Sequence, residues 1–313
     1  MDEFALIRRY FAGLTAASSG VVVGIGDDAA LLTPTPDQQL AVTCDTLIEG
    51  RHFPVGTSAY DIGWKALAVN LSDLAAMGAQ PRWFTLALSL PQADPGWLAE
   101  FSAGLRALAD RHSVALVGGD TTRGSLSITI TALGESPAGM ALRRSGAQVG
   151  DCVCVTGTLG DAAAALALLD QGTRDAELLM RLNRPEPRVG AGLALRTLAH
   201  AAIDLSDGLS GDLPHILEAS GVGAEIDVDA LPASVALRRR YPLRDARMRY
   251  QLAGGDDYEL CLCIPPDRLD HARARLDVPL HVVGRITAVR GLRYVDASGA
   301  TIVFNHPGFR HFE

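Results

Sequence analysis

Apolar runs of strand and helix length are interrupted in this chain at six places by short aspartate motifs. They are GIGDD at 24–28, TCDT at 43–46, NLSD at 70–73, GGDTTRG at 118–124, IDLSDG at 203–208 and GGDDYE at 254–259. Nearly every aspartate stands beside glycine, serine or threonine, where an apolar run ends or a helical pattern begins. That placement predicts carboxylates in turns, free to face a common cleft. Clustered carboxylates repel one another and raise each other's pKa unless cations intervene. All-oxygen clusters suit Mg²⁺, which takes a few carboxylates, retained waters and substrate phosphates. The pattern points to Mg²⁺-dependent handling of a nucleotide polyphosphate.

Among the 28 lysines and arginines only Lys65 is a lysine, and no G-x-x-x-x-G-K-[ST] loop occurs. Phosphates must then be neutralised by metal ions and arginine rather than by a P-loop or kinase-strand lysine. A net charge of −8 without basic stripes argues against nucleic acid and anionic membranes as partners. No apolar stretch approaches the roughly 20 residues of a membrane span, and the N-terminal MDEFALIRRYF is amphipathic rather than signal-like, so a cytoplasmic protein is expected. Cys44, Cys152, Cys154, Cys261 and Cys263 include two C-x-C pairs in alternating apolar runs, which read as reduced thiols on strand faces.

The 313 residues, 48% of them hydrophobic, suffice for two cores. Hairpins mix with helices that return across a sheet, an α+β arrangement rather than a uniform βαβ repeat. Residues 30–32 and 40–44 are expected to pair as a hairpin around TPTPD, bringing Asp28 and Asp45 to the same open end. Thr57 or Ser58 caps a helix running to about Ala76, with Asn70 and Asp73 one turn apart on it. Asp94-Pro95 opens a second helix. WFTLALSLP, VALVGGD and LSITITALGE read as strands. A composition shift near Ala138–Gly150 marks a junction between domains 1–137 and 138–313. The second domain starts with the strand DCVCVTG, and further strands are expected at IDLSDG and near 224–228, 258–264, 280–286 and 301–304. The LSD tripeptide recurs in NLSDLAAMGA and IDLSDGLSGD, hinting at related modules.

The ordered set GIGDDAAL, CDTLIEGRHF, KALAVNLSDLAAMGA, GGDTTRG, LRRSGAQVGD, TGTLGD, AIDLSDGL and GGDDYEL spans nearly the whole chain and closely resembles the thiamine-monophosphate kinase family. The resemblance implies the two-domain aminoimidazole-ribonucleotide-synthetase-like (PurM-like) fold. On this view the first domain binds ATP and Mg²⁺ and forms a homodimer through its strands, while the C-terminal α/β sandwich domain completes the nucleotide and substrate site. The implied activity is transfer of the γ-phosphoryl group of ATP to thiamine monophosphate, giving thiamine diphosphate and ADP. Carried over position by position, magnesium ligands match Asp28, Thr43, Asp45, Asp73, Asp120, Asp204 and Asp207, with Cys44 beside them. Nucleotide contacts match Gly119, Asp120, Arg144 and Ser206. Thiamine-phosphate contacts match His52, Asp256 and Phe309.

Two positions depart from the family pattern: Cys44 where many relatives have threonine, and Asp256 where many have glutamate. A thiol is a poor Mg²⁺ ligand, so Cys44 can serve only through its carbonyl or not at all. Asp256 is one methylene shorter, so its reach to the substrate requires a water or a small backbone shift. No covalent nucleophile or general base is expected, because the acceptor is already an ionised phosphate oxygen.

Structural readings stand beside these. Asp161 and Asp212 read as caps or local turn partners, and Asp27 as a support for its turn while Asp28 is the ligand. Arg123 either binds phosphate or braces its glycine turn. Lys65 reads as a structural cation, and Phe309 either anchors the core or offers a face to the flat, cationic thiamine. The competing functions are a non-catalytic nucleotide or thiamine-phosphate sensor and another ATP enzyme of the same superfamily, such as aminoimidazole ribonucleotide synthetase.

Overall fold

The computed structural model describes residues 3–15 and 20–304. The chain divides into two compact units, one of residues up to 74 together with 79–139, the other of 75–78 together with 140 onwards.

In the first unit, α1 (Glu3–Tyr10) precedes two short strands, β1 (Val21–Val23) and β2 (Leu31–Leu32), which pair with each other. A sheet of order β3-β6-β4-β5 follows, from β3 (Gln38–Ile48), β4 (Gln80–Leu90), β5 (Ala115–Arg123) and β6 (Ser127–Pro137). It is antiparallel except where β4 runs parallel to β5. The helices are α2 (Ala59–Ala76) and α3 (Pro95–His112). Both begin where the sequence predicts. Ser58 Oγ accepts the Asp61 N–H at 3.1 Å ahead of α2. Asp94 Oδ1 accepts the Trp97 N–H at 2.8 Å, with Pro95 in the first helical turn where its missing N–H costs nothing.

The hairpin expected around TPTPD does not form. β2 pairs with β1 across the GIGDD loop, and β3 gives all of its 11 residues to β6, from Gln38 opposite Pro137 to Ile48 opposite Ser127. Pro34 and Pro36 offer no N–H to a ladder. Thr35 is instead tied to Glu135 of β6 through its N–H (2.6 Å) and hydroxyl (2.7 Å).

The second unit is built on a sheet of order β13-β12-β9-β11-β7-β10-β8. Its strands are β7 (Cys152–Thr156), β8 (Ala201–Asp204), β9 (Gly223–Asp227), β10 (Leu260–Ile264), β11 (Leu280–Thr287), β12 (Gly291–Val295) and β13 (Thr301–Ile302). Its helices include α4 (Asp161–Asp170), α5 (Ala176–Asn183), α6 (Val189–Leu195), α7 (Leu209–Ser220), α8 (Val235–Arg240) and α9 (Arg244–Ala253). Leu213, Ile216 and Leu217 of α7 pack with Val153, Val155, Cys261 and Cys263 in one core cluster. Leu168 of α4, Leu178 and Leu182 of α5, Leu237 of α8 and Tyr250 of α9 make another. The C-x-C pairs lie on adjacent antiparallel strands as free thiols, with Cys154, Cys261 and Cys263 buried.

β12 is a strand the sequence pattern did not predict; it runs parallel to β9 from Gly291 opposite Gly223. The LSD echo marks no shared local structure, since Asp73 lies inside α2 whereas Asp207 lies in the loop before α7.

Candidate functional site

The first unit carries a cleft of about 730 Å³ between α1, the GIGDD loop and the neighbouring β4 and β5 segments. Asp27, Asp28, Gly119 and Asp120 all line it. The Asp28 N–H donates to Asp27 Oδ1 at 2.9 Å, so Asp27 shapes the turn that carries Asp28. Gly119 has φ +144°, and a Cβ there would fall 1.9 Å from the Leu86 carbonyl oxygen. Only glycine lets β5 run against β4 at that point and deliver Asp120 to the cleft.

A second group in the same unit joins β3 to α2. The Thr43 hydroxyl donates to Asp73 Oδ2, and the Asp45 N–H donates to Asn70 Oδ1 at 3.2 Å. Burial and then the charge of Asp73 push the Asp45 carboxyl up to about 6. Strand alternation puts Thr43 and Asp45 on one face and the exposed Cys44 on the other, where its sulfur accepts from the Thr131 hydroxyl at 3.4 Å. Asp45 and Asp120 therefore sit within strands rather than in the turns the sequence predicts, while Asp73 lies on α2, the helix expected for it.

His52 closes the loop after β3. Its Nδ1 accepts the Ile48 N–H at 3.0 Å, which puts the neutral ring's proton on Nε2. Its own N–H donates to the Ile48 carbonyl at 2.9 Å, and its carbonyl accepts from Lys65 Nζ at 3.0 Å. Arg123 ends β5 as an exposed cation.

In the second unit the IDLSDG and GGDDYE motifs are laced together. The Asp256 N–H donates to the Ser206 carbonyl (2.9 Å), Tyr258 N–H to Leu205 O (2.8 Å) and Leu205 N–H to Glu259 O (2.8 Å). Asp256 and Tyr258 both adopt positive φ, +66° and +50°, and the Tyr258 hydroxyl donates to Asp256 Oδ1 at 3.1 Å. A tyrosine in that region is strained and persists only where its surroundings over-determine it. The Asp207 N–H donates to Asp212 Oδ2 at 3.0 Å. Burial, then the charges of Asp204 and Asp207, push Asp212 up to about 8, and the charge of Arg144 draws it back down. Asp204, Asp207, Ser206 and Arg144 are thereby tied to one acidic locality. Phe309 lies outside the described residues.

The motif reading missed two residues of GGDDYE. Asp257 is fully buried and accepts the Gly160 N–H with both oxygens, at 2.9 and 3.0 Å, fastening this loop to TGTLGD. Glu259, with no exposed surface, binds Arg188 Nε (2.6 Å), Arg188 Nη2 (2.5 Å), Arg181 Nη2 (2.8 Å) and the Thr156 hydroxyl (2.7 Å). Their apolar surroundings in AGGDDYELCLC are the signal available in the sequence, because charges buried beside a core strand need partners. Asp161 takes the hydroxyls of Ser234 (2.6 Å) and Thr158 (3.1 Å).

Among the described residues no three histidine, cysteine, aspartate or glutamate side chains converge to hold an ion. The donor sets fit a hard cation nonetheless, because Asp45, Asp73 and Thr43 offer only oxygen and the crowded Asp45 is short of positive charge.

Known proteins match the chain along its length. The family models for AIR synthase related proteins match at residues 26–136 (N-terminal domain) and 148–296 (C-terminal domain). The thiamine-monophosphate kinase of Salmonella typhimurium is 49% identical over 320 residues, covering 99% of this chain and 98% of that protein. The crystal structure of thiamine-monophosphate kinase from Stenotrophomonas maltophilia K279a superposes with a TM-score of 0.88 at 52% identity, covering 96% of this chain and 98% of that one. A structure described as AaThiL complexed with AMPPCP and TMP superposes at 0.78 with 31% identity over 92% of each chain. With half its residues shared over nearly full length and two AIR-synthase-related domains in order, the chain belongs to the thiamine-monophosphate kinase family.

Proposed function

We propose that this protein transfers the γ-phosphoryl group of ATP to the phosphate of thiamine monophosphate, releasing ADP and thiamine diphosphate. The observation that carries this reading is the relative held with AMPPCP and TMP, whose fold this chain reproduces over 92% of both lengths. In the transfer, an oxygen of the acceptor phosphate forms the new P–O bond and the β–γ bridging oxygen leaves with ADP. Nothing on the protein need accept a proton from that ionised oxygen, and no phosphoenzyme is required.

The protein's part is positioning and charge balance. In the first unit, Asp28 and Asp120 at the cleft and Thr43, Asp45 and Asp73 where β3 meets α2 offer oxygen donors for divalent ions, with Gly119 letting the nucleotide approach the backbone. In the second unit, Asp204 and Asp207 offer further carboxylates, Ser206 a hydroxyl and Arg144 a cation for the phosphates. Mg²⁺, when bound, neutralises the phosphates and the charge on the group in transit. His52 donates from Nε2 to the substrate, Asp256 is held ready by Tyr258, and Phe309 offers its face to the cationic ring.

On the same reading residues 1–137 and 138–313 are the functional domains, and the protein works in the cytoplasm. Among the described residues no helix is long and apolar enough to cross a membrane. Homodimerisation would cover the face of β3 that exposes Leu40, Val42 and Ile48. Incubating pure protein with ATP, Mg²⁺ and thiamine monophosphate should yield ADP and thiamine diphosphate in equal amounts. Binding of both without turnover would instead make the protein a sensor.

A further inference from the structure

α2 grips β3 and the loop that follows it with three side chains. Asp73 takes the Thr43 hydroxyl, Asn70 takes the Asp45 N–H at 3.2 Å, and Lys65 Nζ donates to the His52 carbonyl at 3.0 Å. The first two hold residues already assigned as ion ligands. Lys65 has no such assignment, yet it is the chain's single lysine and only 2% exposed. A buried ammonium is costly unless well hydrogen-bonded, and at a helix position flanked in sequence by the buried Trp64, Ala66 and Leu67 an apolar residue would be the cheaper choice.

The carbonyl that Lys65 binds belongs to a residue whose ring is already fixed. Ile48 both donates to His52 Nδ1 and accepts from the His52 N–H, while the Gly50 N–H, at a residue with φ +75°, donates to the Phe53 carbonyl at 2.9 Å. Lys65 adds a restraint on the backbone of this loop from the helix side. We propose that Lys65 is a positioning residue for His52: its contact with the His52 carbonyl holds the loop so that the ring keeps its proton on Nε2, aimed as a donor for the anionic acceptor. This inference rests on the reading of His52 as an acceptor contact.

The test is a KM-against-kcat comparison on the full chain. Lys65→Met should raise KM for thiamine monophosphate about tenfold while kcat and KM for ATP stay within about twofold, and Lys65→Arg, which keeps a cationic donor, should recover most of the loss. In a His52→Ala background, Lys65→Met should add nothing further. Equal damage to kcat and both KM values, or a KM shift of the same size without the His52 ring, would overturn the proposal. Should Lys65→Met fail to fold, Lys65→Gln and Lys65→Arg carry the same comparison. If His52→Ala leaves KM unchanged, the acceptor-contact reading fails by itself. Ring ¹⁵N shifts of His52 then decide the positioning role: loss of the Nε2–H tautomer in the Lys65 variants supports it, and unchanged shifts contradict it.

Discussion

Two acidic localities, one in each unit, are held by opposite means. In the first, Asp45 and Asp73 project from a regular strand and a regular helix and are supported by the neutral partners Asn70 and Thr43. Burial and the charge of Asp73 push the Asp45 carboxyl only up to about 6, so it is largely ionised at neutral pH. In the second, Asp204, Asp207 and Asp212 crowd the end of β8 and the start of α7, and Asp212 rises to about 8. One locality is a rigid scaffold with modest repulsion. The other stores repulsion that a proton or a cation must relieve.

Neutralising a carboxylate should hurt both alike if both serve the chemistry. Asp73→Asn and Asp207→Asn are each expected to lower turnover about 10²–10³-fold with little change in the melting temperature. Steady-state rates decide this, and a variant within threefold of the parent would remove its locality from catalysis.

Stability should separate the units. Glu259→Gln leaves Arg181 and Arg188 against a neutral amide and should cost about 3 kcal/mol in denaturant unfolding. A loss below about 1 kcal/mol would mean that water satisfies the two guanidiniums.

The pH response should sharpen the contrast further. The folded-state pKa of Asp212 lies at about 8 against an ordinary 3.8, so the folded chain binds the extra proton between those values. That stabilising contribution is fully present below about pH 4 and is lost as pH rises through about 8. Without divalent ions, Asp212→Asn should therefore be more stable than the parent at pH 9 by about 2 kcal/mol or more, and added Mg²⁺ should shrink the gap. Parallel melting curves for the two proteins from pH 6 to 9 would contradict the crowding described for Asp212.

The smallest expected effect concerns the thiols. Burial raises Cys154 to about 12 and Cys261 and Cys263 well above the ordinary thiol range, whereas Cys44 is exposed. One thiol per chain should react rapidly with a disulfide reagent at pH 8 in the native state. The half-buried Cys152 should react more slowly, and rapid reaction of the buried Cys154, Cys261 or Cys263 would mean that the second unit's sheet opens.

Much of this was legible in the sequence where the cause is local. Ser58 and Asp94 cap their helices because capping needs only the next three residues. The order of the aspartate motifs marks the family because it is written in the chain itself, whatever each motif touches in space. What depends on distant partners was not legible. Glu259 finds Arg188 and Arg181 at separations of 71 and 78 residues, and nothing beside it announces them. β3 prefers β6, far along the chain, to the adjacent 30–32, because an unbroken ladder outweighs a turn with two prolines. Asp45 reads as a turn residue because it closes an apolar run, but β3 continues through it, so that a strand face and the expected helix face present Asp45 and Asp73 together.

On the proposed function the protein offers pairs of carboxylates, not closed cages, and the substrates' phosphates complete the ion sites. Calorimetric titration of Mg²⁺ tests it directly, on the protein alone and on the protein saturated with a non-hydrolysable ATP analogue and thiamine monophosphate. Weak binding to the protein alone and tight binding of more than one ion per chain to the ternary complex are expected. Equally tight binding with the same stoichiometry in both samples would contradict it.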